Sequence, residues 1–155
     1  YFFYLNDSIP IYTRFFSPSE ETTLTVPSAA GKVITVGAYN SRTDAYADFS
    51  GRGYTRTNDN IKPDIVAPGV NIVSTAVNGG YTVRSGTSMA VPFVSGSAAL
   101  LMQWGIVKRN DPYLYGEKVK AYLIRTARHL PGDPVPSKRT GWGALCLRNV
   151  FGTGV

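Results

Sequence analysis

The stretch Ser85–Val107, SGTSMAVPFVSGSAALLMQWGIV, contains no charged residue. Its small side chains (Ala90, Ser95, Gly96, Ser97, Ala98, Ala99) mix with Val94, Leu100, Leu101 and Met102 around every side of a helical wheel. The spacing predicts a helix over about 88–104 without a polar face, and such a helix is either enclosed by other elements or immersed in a membrane. Pro92, Gly86, Gly96, several Ser and Thr residues and Gln103 make it too polar for a span, so a helix enclosed by protein is expected. Pro92 falls in the first turn, where its missing N–H costs little, and Gly105 suits the stop. A chain of 155 residues is about one domain and can bury a real core around such a helix.

The remaining segments supply strands and a second helix. The β-branched run KVITVGAY, Lys32 to Tyr39, reads as a buried strand. In KPDIVAPGVNIVSTA, Lys62 to Ala76, Pro63 biases Lys62 to an extended conformation, and Ile65–Ala67 is a short apolar strand. Pro68-Gly69 suits the centre of a type II turn, and Val70–Thr75 is the next strand. Asn78-Gly79-Gly80 signals a turn, after which Tyr81–Arg84 returns as a hairpin partner. Val119, Tyr122, Leu123 and Thr126 form one stripe of a helix over about 115–128, whose basic end suits the helix dipole. Tyr1–Leu24 is aromatic-rich, broken by Pro10 and Pro18, and reads as short strands and turns, distinct from the α/β pattern of 25–155.

The net charge of +6 is unevenly placed. Residues 1–103 hold seven basic and seven acidic residues, whereas 104–155 hold nine basic and three acidic, so the excess is confined to the last third. No nucleic-acid motif accompanies it, and a solvated face or one meeting an acidic partner is the expectation. Cys146 is the only cysteine, which excludes an intrachain disulfide and a cysteine metal cluster. Asp44, Asp48, Asp59 and Asp64 show no metal-loop spacing. The opening YFFYLNDSIPIYTRFF lacks the basic start, long apolar run and small-residue cleavage site of a secretory signal peptide.

Ser88 sits at the expected strand–turn–helix junction. Such a place holds a hydroxyl on a rigid element, beside unpaired N–H groups and the positive end of a helix dipole. A tetrahedral oxyanion needs this environment, and one such donor is worth ~2.7–4 kcal/mol in the transition state. The plain alternative is that Ser88 is an ordinary N-cap, worth ~1 kcal/mol. A serine hydroxyl is a poor nucleophile without a base. The one histidine, His129, follows the second helix among Arg125 and Arg128 and reads as a surface residue. An α/β-hydrolase order of Ser, Asp, His could draw on Ser88, Asp111 or Asp133, and His129. Asp133 follows His129, however, and Gly86-Thr87-Ser88-Met89-Ala90 departs from Gly-x-Ser-x-Gly.

The longer context SGTSMAVPFVSGSAAL resembles the serine motif of the subtilisin-like serine proteases, or subtilases. Gly86, Thr87, Ser88, Met89, Ala90, Pro92 and Gly96 all match the family pattern. VITVGAYN, FSGRG, KPDIVAPGVNIVST and the closing GWGALCLRNV resemble the family in the same order, over about Thr25–Val150. The resemblance implies an α/β fold: the C-terminal portion of a parallel-sheet domain with flanking helices, incomplete on its own. Tyr1–Phe16 then reads as the end of an inserted or preceding β-rich segment. Ser88 is implied as the nucleophile of a serine endopeptidase, with its own N–H in the oxyanion hole. The triad Asp and His are expected upstream of residue 1, and Asn6 lacks the context of the family's oxyanion-hole asparagine.

Thr25, Arg84, Ser85, Gly86, Thr87 and Met89 are implied substrate-binding residues. Thr25–Ser28 would form one wall of the primary specificity pocket, with Pro27 cis. Arg84 would lie on the leaving-group side, where it either favours an acidic residue after the scissile bond or is simply an exposed arginine. No cofactor is required. Some members bind calcium, for which these residues give no support. The expected partners are a peptide or protein substrate and the N-terminal half of the same protease, with self-association of the chain alone and neither nucleic acid nor membrane. The resemblance implies a secreted or envelope-associated protein, and the chain alone should be inactive. A catalytically silent pseudoprotease acting as a binding or regulatory scaffold is the alternative.

Overall fold

The computed structural model describes residues 16–56 and 59–152. Its first layer is a three-stranded sheet in the order β2-β1-β3, from β1 (Val36–Asn40), β2 (Ala45–Tyr46) and β3 (Ile65–Pro68). β1 and β3 run parallel, with Val36 opposite Ile65 and Tyr39 opposite Pro68, while β2 pairs antiparallel with the end of β1 only. β4 (Ile72–Thr75) and β5 (Tyr81–Arg84) form a separate antiparallel hairpin, closed by a turn with Asn78, Gly79 and Gly80 at positive φ. The strand expected over 32–39 begins only at Val36. The preceding residues bond elsewhere: the Val33 carbonyl accepts from Lys62 Nζ, and the Thr35 N–H donates to the Asp64 carboxylate.

The second layer is helical. α1 (Thr87–Met102) continues into a π-helical turn (Gln103–Val107) and is followed by α2 (Gly116–Arg125) and α3 (Leu147–Gly152). Ala90, Val94, Ser97 and Leu101 form the buried face of α1, which packs on β1 and β3. Ala38, Ile65 and Ala67 meet them from the sheet, and Leu114, Val119, Leu123 and Val150 complete the core. Leu101 is fully buried, so truncation to alanine would cost ~2–5 kcal/mol. The stripe expected on α2 is found, with Val119, Leu123 and Thr126 buried and Tyr122 half-buried. α2 stops at Arg125, short of the expected 128, because Arg128 leaves the helix to exchange two backbone hydrogen bonds with Ala144.

The enclosure expected of α1 is only half realised. Val91, Phe93, Leu100 and Met102 on α1, and Ile106 and Val107 beyond it, are exposed, as are Val73, Tyr81 and Val83 on the hairpin. No described element covers that side. By length and hydropathy the Thr87–Val107 run is also apolar enough to cross a membrane, although one face of it packs on the sheet.

The closing segment locks onto the outer edge of β3. Val66 donates to the Gly143 carbonyl and accepts from the Leu145 N–H, and Trp142 N–H donates to the Asp64 carbonyl. Gly141, at φ 56°, passes so close that a Cβ there would stand 1.9 Å from the Pro63 carbonyl oxygen. Of the aromatic-rich N-terminal stretch, Tyr1–Phe15 and Asn6 within it lie outside the described residues, and 16–24 contain no strand.

Candidate active site

The turn before α1 is built on glycine contacts. Gly86 is the N-cap at φ 153°, and its N–H donates to the Gly69 carbonyl at 2.8 Å. Gly69 N–H in turn donates to the Tyr39 carbonyl at the end of β1, at 3.0 Å. Gly69 is not at positive φ, so the expected type II turn is absent; the left-handed residue is Asn71, at φ 54°. Gly69 is needed for a different reason. A Cβ there would stand 2.6 Å from Ala38 Cβ and 2.9 Å from the Gly86 carbonyl oxygen. Ser85 Oγ accepts from Asn71 N–H at 2.8 Å, tying the end of the hairpin to the same turn.

Ser88 therefore stands on a fixed platform as the second residue of a 16-residue helix. It is exposed, and its hydroxyl makes no hydrogen bond to a described residue. The cap is Gly86 and no side chain caps the helix, so the plain reading of Ser88 as an N-cap is excluded. Among the described residues neither the Thr87 nor the Ser88 N–H meets a backbone acceptor, and the first turn holds no acidic residue. Two free donors and the positive end of the helix dipole thus adjoin the Ser88 hydroxyl, an arrangement suited to stabilising an oxyanion.

The other expected site residues distribute around this turn. Thr25 and Thr87 line one cavity of about 540 Å³, together with Ser28, Thr35, Asp48, Phe49, Arg52 and others. Ser28 N–H donates to the Thr25 carbonyl at 2.8 Å, and the Val26–Pro27 peptide is cis, as the resemblance implied. Met89 lines a second cavity of about 340 Å³ with Ile72, Val73, Ser74, Pro92 and Phe93, so the structure does not bring it to the Thr25 cavity. Arg84 is exposed at the end of β5 opposite Ile72, with no ion pair to a described residue. Ser85 and Gly86 line neither cavity and hold the turn.

Nothing in the described chain serves Ser88 as a base. His129 is exposed and makes no hydrogen bond to a described residue, and the Asp111 carboxylate is engaged by Lys118 at 2.6 Å and Tyr122 at 3.3 Å. The Lys118 ammonium holds the Asp111 pKa below the usual carboxylate range. Among the described residues no group of acidic, His or Cys side chains could hold a metal ion.

Sequence reasoning weighed Asp48 and Asp64 only as metal ligands and did not single out the ion pairs next to the cavity. Arg52, on the cavity wall, pairs with Glu20 and lies 5.4 Å from the Tyr46 ring centroid. Behind the wall Lys62 and Asp64, both buried, form an ion pair at 2.6 Å, and Lys120 of α2 reaches the other Asp64 oxygen at 2.8 Å. Burial holds the Lys62 pKa below the usual lysine range, against the pull of Asp64. The available signal was two charges, Lys62 and Asp64, set directly against the apolar strand Ile65–Ala67.

Comparison with known proteins agrees with the serine-motif resemblance. A family model described as the subtilase family matches residues 6–143. The solved structure of the Clostridium perfringens CspB protease superposes with a TM-score of 0.84 at 48% identity, over 90% of this chain and 30% of that one. The minor extracellular protease Vpr of Bacillus subtilis is 38% identical over 114 residues, covering 68% of this chain and 13% of Vpr. The PII-type proteinase of Lactococcus lactis subsp. cremoris is 51% identical over 81 residues, covering 52% of this chain and 4% of the proteinase. The chain thus spans less than a third of the length of each.

Proposed function

From the premise that this chain belongs to the subtilase family, we propose that it carries the nucleophile of a serine endopeptidase, Ser88. The observation that supports this reading most directly is an exposed serine, hydrogen-bonded to no described side chain, on the first turn of a long helix whose cap is glycine. In the complete enzyme, Ser88 Oγ attacks the scissile carbonyl carbon while its proton passes to a histidine oriented by an aspartate. Both are supplied by chain preceding Tyr1. The oxyanion rests against the Ser88 N–H at the positive end of α1. Collapse of the tetrahedral intermediate breaks the C–N bond, and the histidine gives its proton to the departing amine. Water then hydrolyses the acyl-enzyme by the same route and restores Ser88.

Thr25, Ser28 and Thr87 contact the side chain before the scissile bond. Arg84, Ser85 and Gly86 follow the substrate on the leaving-group side, and Met89 supports the turn from behind. The exposed apolar side of α1 and the hairpin is the face on which the N-terminal half of the protease packs. In the isolated chain that face drives self-association. No cofactor is needed, and the whole protein works outside the cytoplasm, as the name of Vpr indicates for that relative.

Labelling with a fluorophosphonate tests the reading. Full-length protein should be labelled at Ser88, with the label lost in Ser88→Ala, whereas this chain alone should remain unlabelled. Strong labelling of the isolated chain would overturn the claim that the base lies elsewhere. Unlabelled full-length protein would favour the pseudoprotease scaffold.

A further inference from the structure

Lys62, Asp64 and Lys120 connect three parts of the fold: the start of β3, helix α2 and the segment Gly31–Thr35. Lys62 is 1% exposed and Asp64 3%. An ammonium has three donors, and Lys62 uses all of its own. Lys62 Nζ donates to the Val33 carbonyl at 2.9 Å, Thr35 Oγ1 at 3.1 Å and Asp64 Oδ2 at 2.6 Å. Lys120 Nζ donates to the Gly31 carbonyl at 2.8 Å and the Val33 carbonyl at 3.1 Å, and forms an ion pair with Asp64 Oδ1 at 2.8 Å. Four of these six contacts end on residues 31–35, and Asp64 Oδ2 takes a further bond from the Thr35 N–H at 2.7 Å.

That segment carries the cavity wall. Thr35 lines the cavity, and its hydroxyl donates to the Ser28 carbonyl at 2.5 Å. Ser28 in turn holds the Thr25 carbonyl. The opposite end of β3 runs into Gly69, which grips Gly86 two residues before Ser88. From Asp64 to Gly69 is five residues of largely extended chain, ~16 Å at ~3.3 Å each. One strand therefore ties the pocket wall to the nucleophile turn at a fixed separation. A buried ion pair is weak evidence for stability, since apolar residues of equal volume often serve as well. A fully bonded polar network, by contrast, specifies one geometry.

We propose that the Lys62–Asp64–Lys120 cluster is a positioning device that sets where the Thr25–Ser28 wall stands relative to Ser88, and thereby which side chain the cleft accepts. This rests on the reading of Ser88 as nucleophile and Thr25 as a substrate contact. The three residues touch no substrate and act through the segment they hold.

The test uses Lys120→Gln, because Lys120 sits at the cluster's margin and its loss spares the Lys62–Asp64 pair. In full-length protein, tetrapeptide p-nitroanilides differing in the residue before the scissile bond should show KM raised ~5–10-fold and their ranking compressed. kcat and the rate of fluorophosphonate labelling should stay within ~2-fold. Lys120→Arg, which keeps a donor for Asp64, should fall between the two. A lowered thermal midpoint with KM and ranking unchanged would overturn the proposal, as would a labelling rate that falls in step with kcat/KM. A second readout is independent of activity. Amide exchange across residues 25–35 should accelerate ~10-fold in Lys120→Gln while the first turn of α1 keeps its rate. Unaltered exchange at 25–35 would overturn the positioning role, whereas failure of the wild type to label would instead count against Ser88 as nucleophile.

Discussion

Replacing Gly69 by alanine adds one methyl group at the point where β1, β3 and the Ser88 turn converge. The backbone there is not at positive φ, so alanine meets no conformational penalty. Elsewhere a Gly→Ala exchange at a compatible site stabilises by ~0.4–1 kcal/mol through the unfolded chain. Here the new Cβ would stand 2.6 Å from Ala38 Cβ and 2.9 Å from the Gly86 carbonyl oxygen. Carbon atoms rest at ~3.5–4.0 Å, so the neighbours must separate by about 1 Å. Overpacking of this kind costs ~1–3 kcal/mol, leaving a net loss of ~1–2 kcal/mol after the entropic gain. The functional loss should be larger than the stability loss. Ala38 is fully buried whereas Gly86 is only half-buried, so the strain falls on the Gly86 turn, and moving Ser88 by ~1 Å would slow its reaction ~10²-fold. Urea unfolding of the isolated chain and fluorophosphonate labelling of the full-length protein measure the two effects. As a control, Gly96→Ala, where a Cβ meets nothing within 4 Å, should stabilise the isolated chain by ~0.5–1 kcal/mol. Gly69→Ala with wild-type stability and wild-type labelling would refute the close-approach argument.

Three further outcomes are expected. Peptides with Asp directly after the scissile bond should be cleaved faster than those with Lys, and Arg84→Glu should reverse the order; equal rates in the wild type would remove Arg84 from specificity. Asp44 is bound by both terminal nitrogens of Arg128 at 2.8 and 3.0 Å, which holds its pKa below the ordinary value of 3.8. The pair's contribution is therefore present above pH 3.8 and fades as pH falls through the lower folded value. The urea midpoints of wild type and Asp44→Asn should differ at pH 6 and converge in strong acid, and a constant difference would contradict the pairing. The isolated chain should sediment as an oligomer that Phe93→Glu and Leu100→Glu dissociate, and a monomer at every concentration would count against the apolar face as a docking surface.

Local patterns in the chain carried much of the fold. β-Branched runs marked β1 and β3, the Asn78-Gly79-Gly80 signal marked the hairpin, and the apolar spacing from Val119 to Thr126 marked α2, because each depends on neighbours in sequence. The serine motif marked Ser88 through its resemblance to the subtilases, and the helix start beside it was legible because it is a local event. What escaped depends on contacts between distant segments. Pro68-Gly69 looked like a type II turn, yet Gly69 is present because Ala38 and Gly86, 31 positions before it and 17 after, come within reach of its missing Cβ. Arg128 read as a helix residue until Ala144 drew its backbone out of α2. Lys62 read as an extended residue before Pro63 and Asp64 as one of four dispersed aspartates, and only folding shows the two buried behind the cavity wall, with Lys120 reaching Asp64. The sequence by itself marked most of the elements and, through its resemblance, the serine proposed as nucleophile. Tertiary structure decided what holds that serine in register with the pocket, because burial and donor geometry arise only when remote parts of the chain meet.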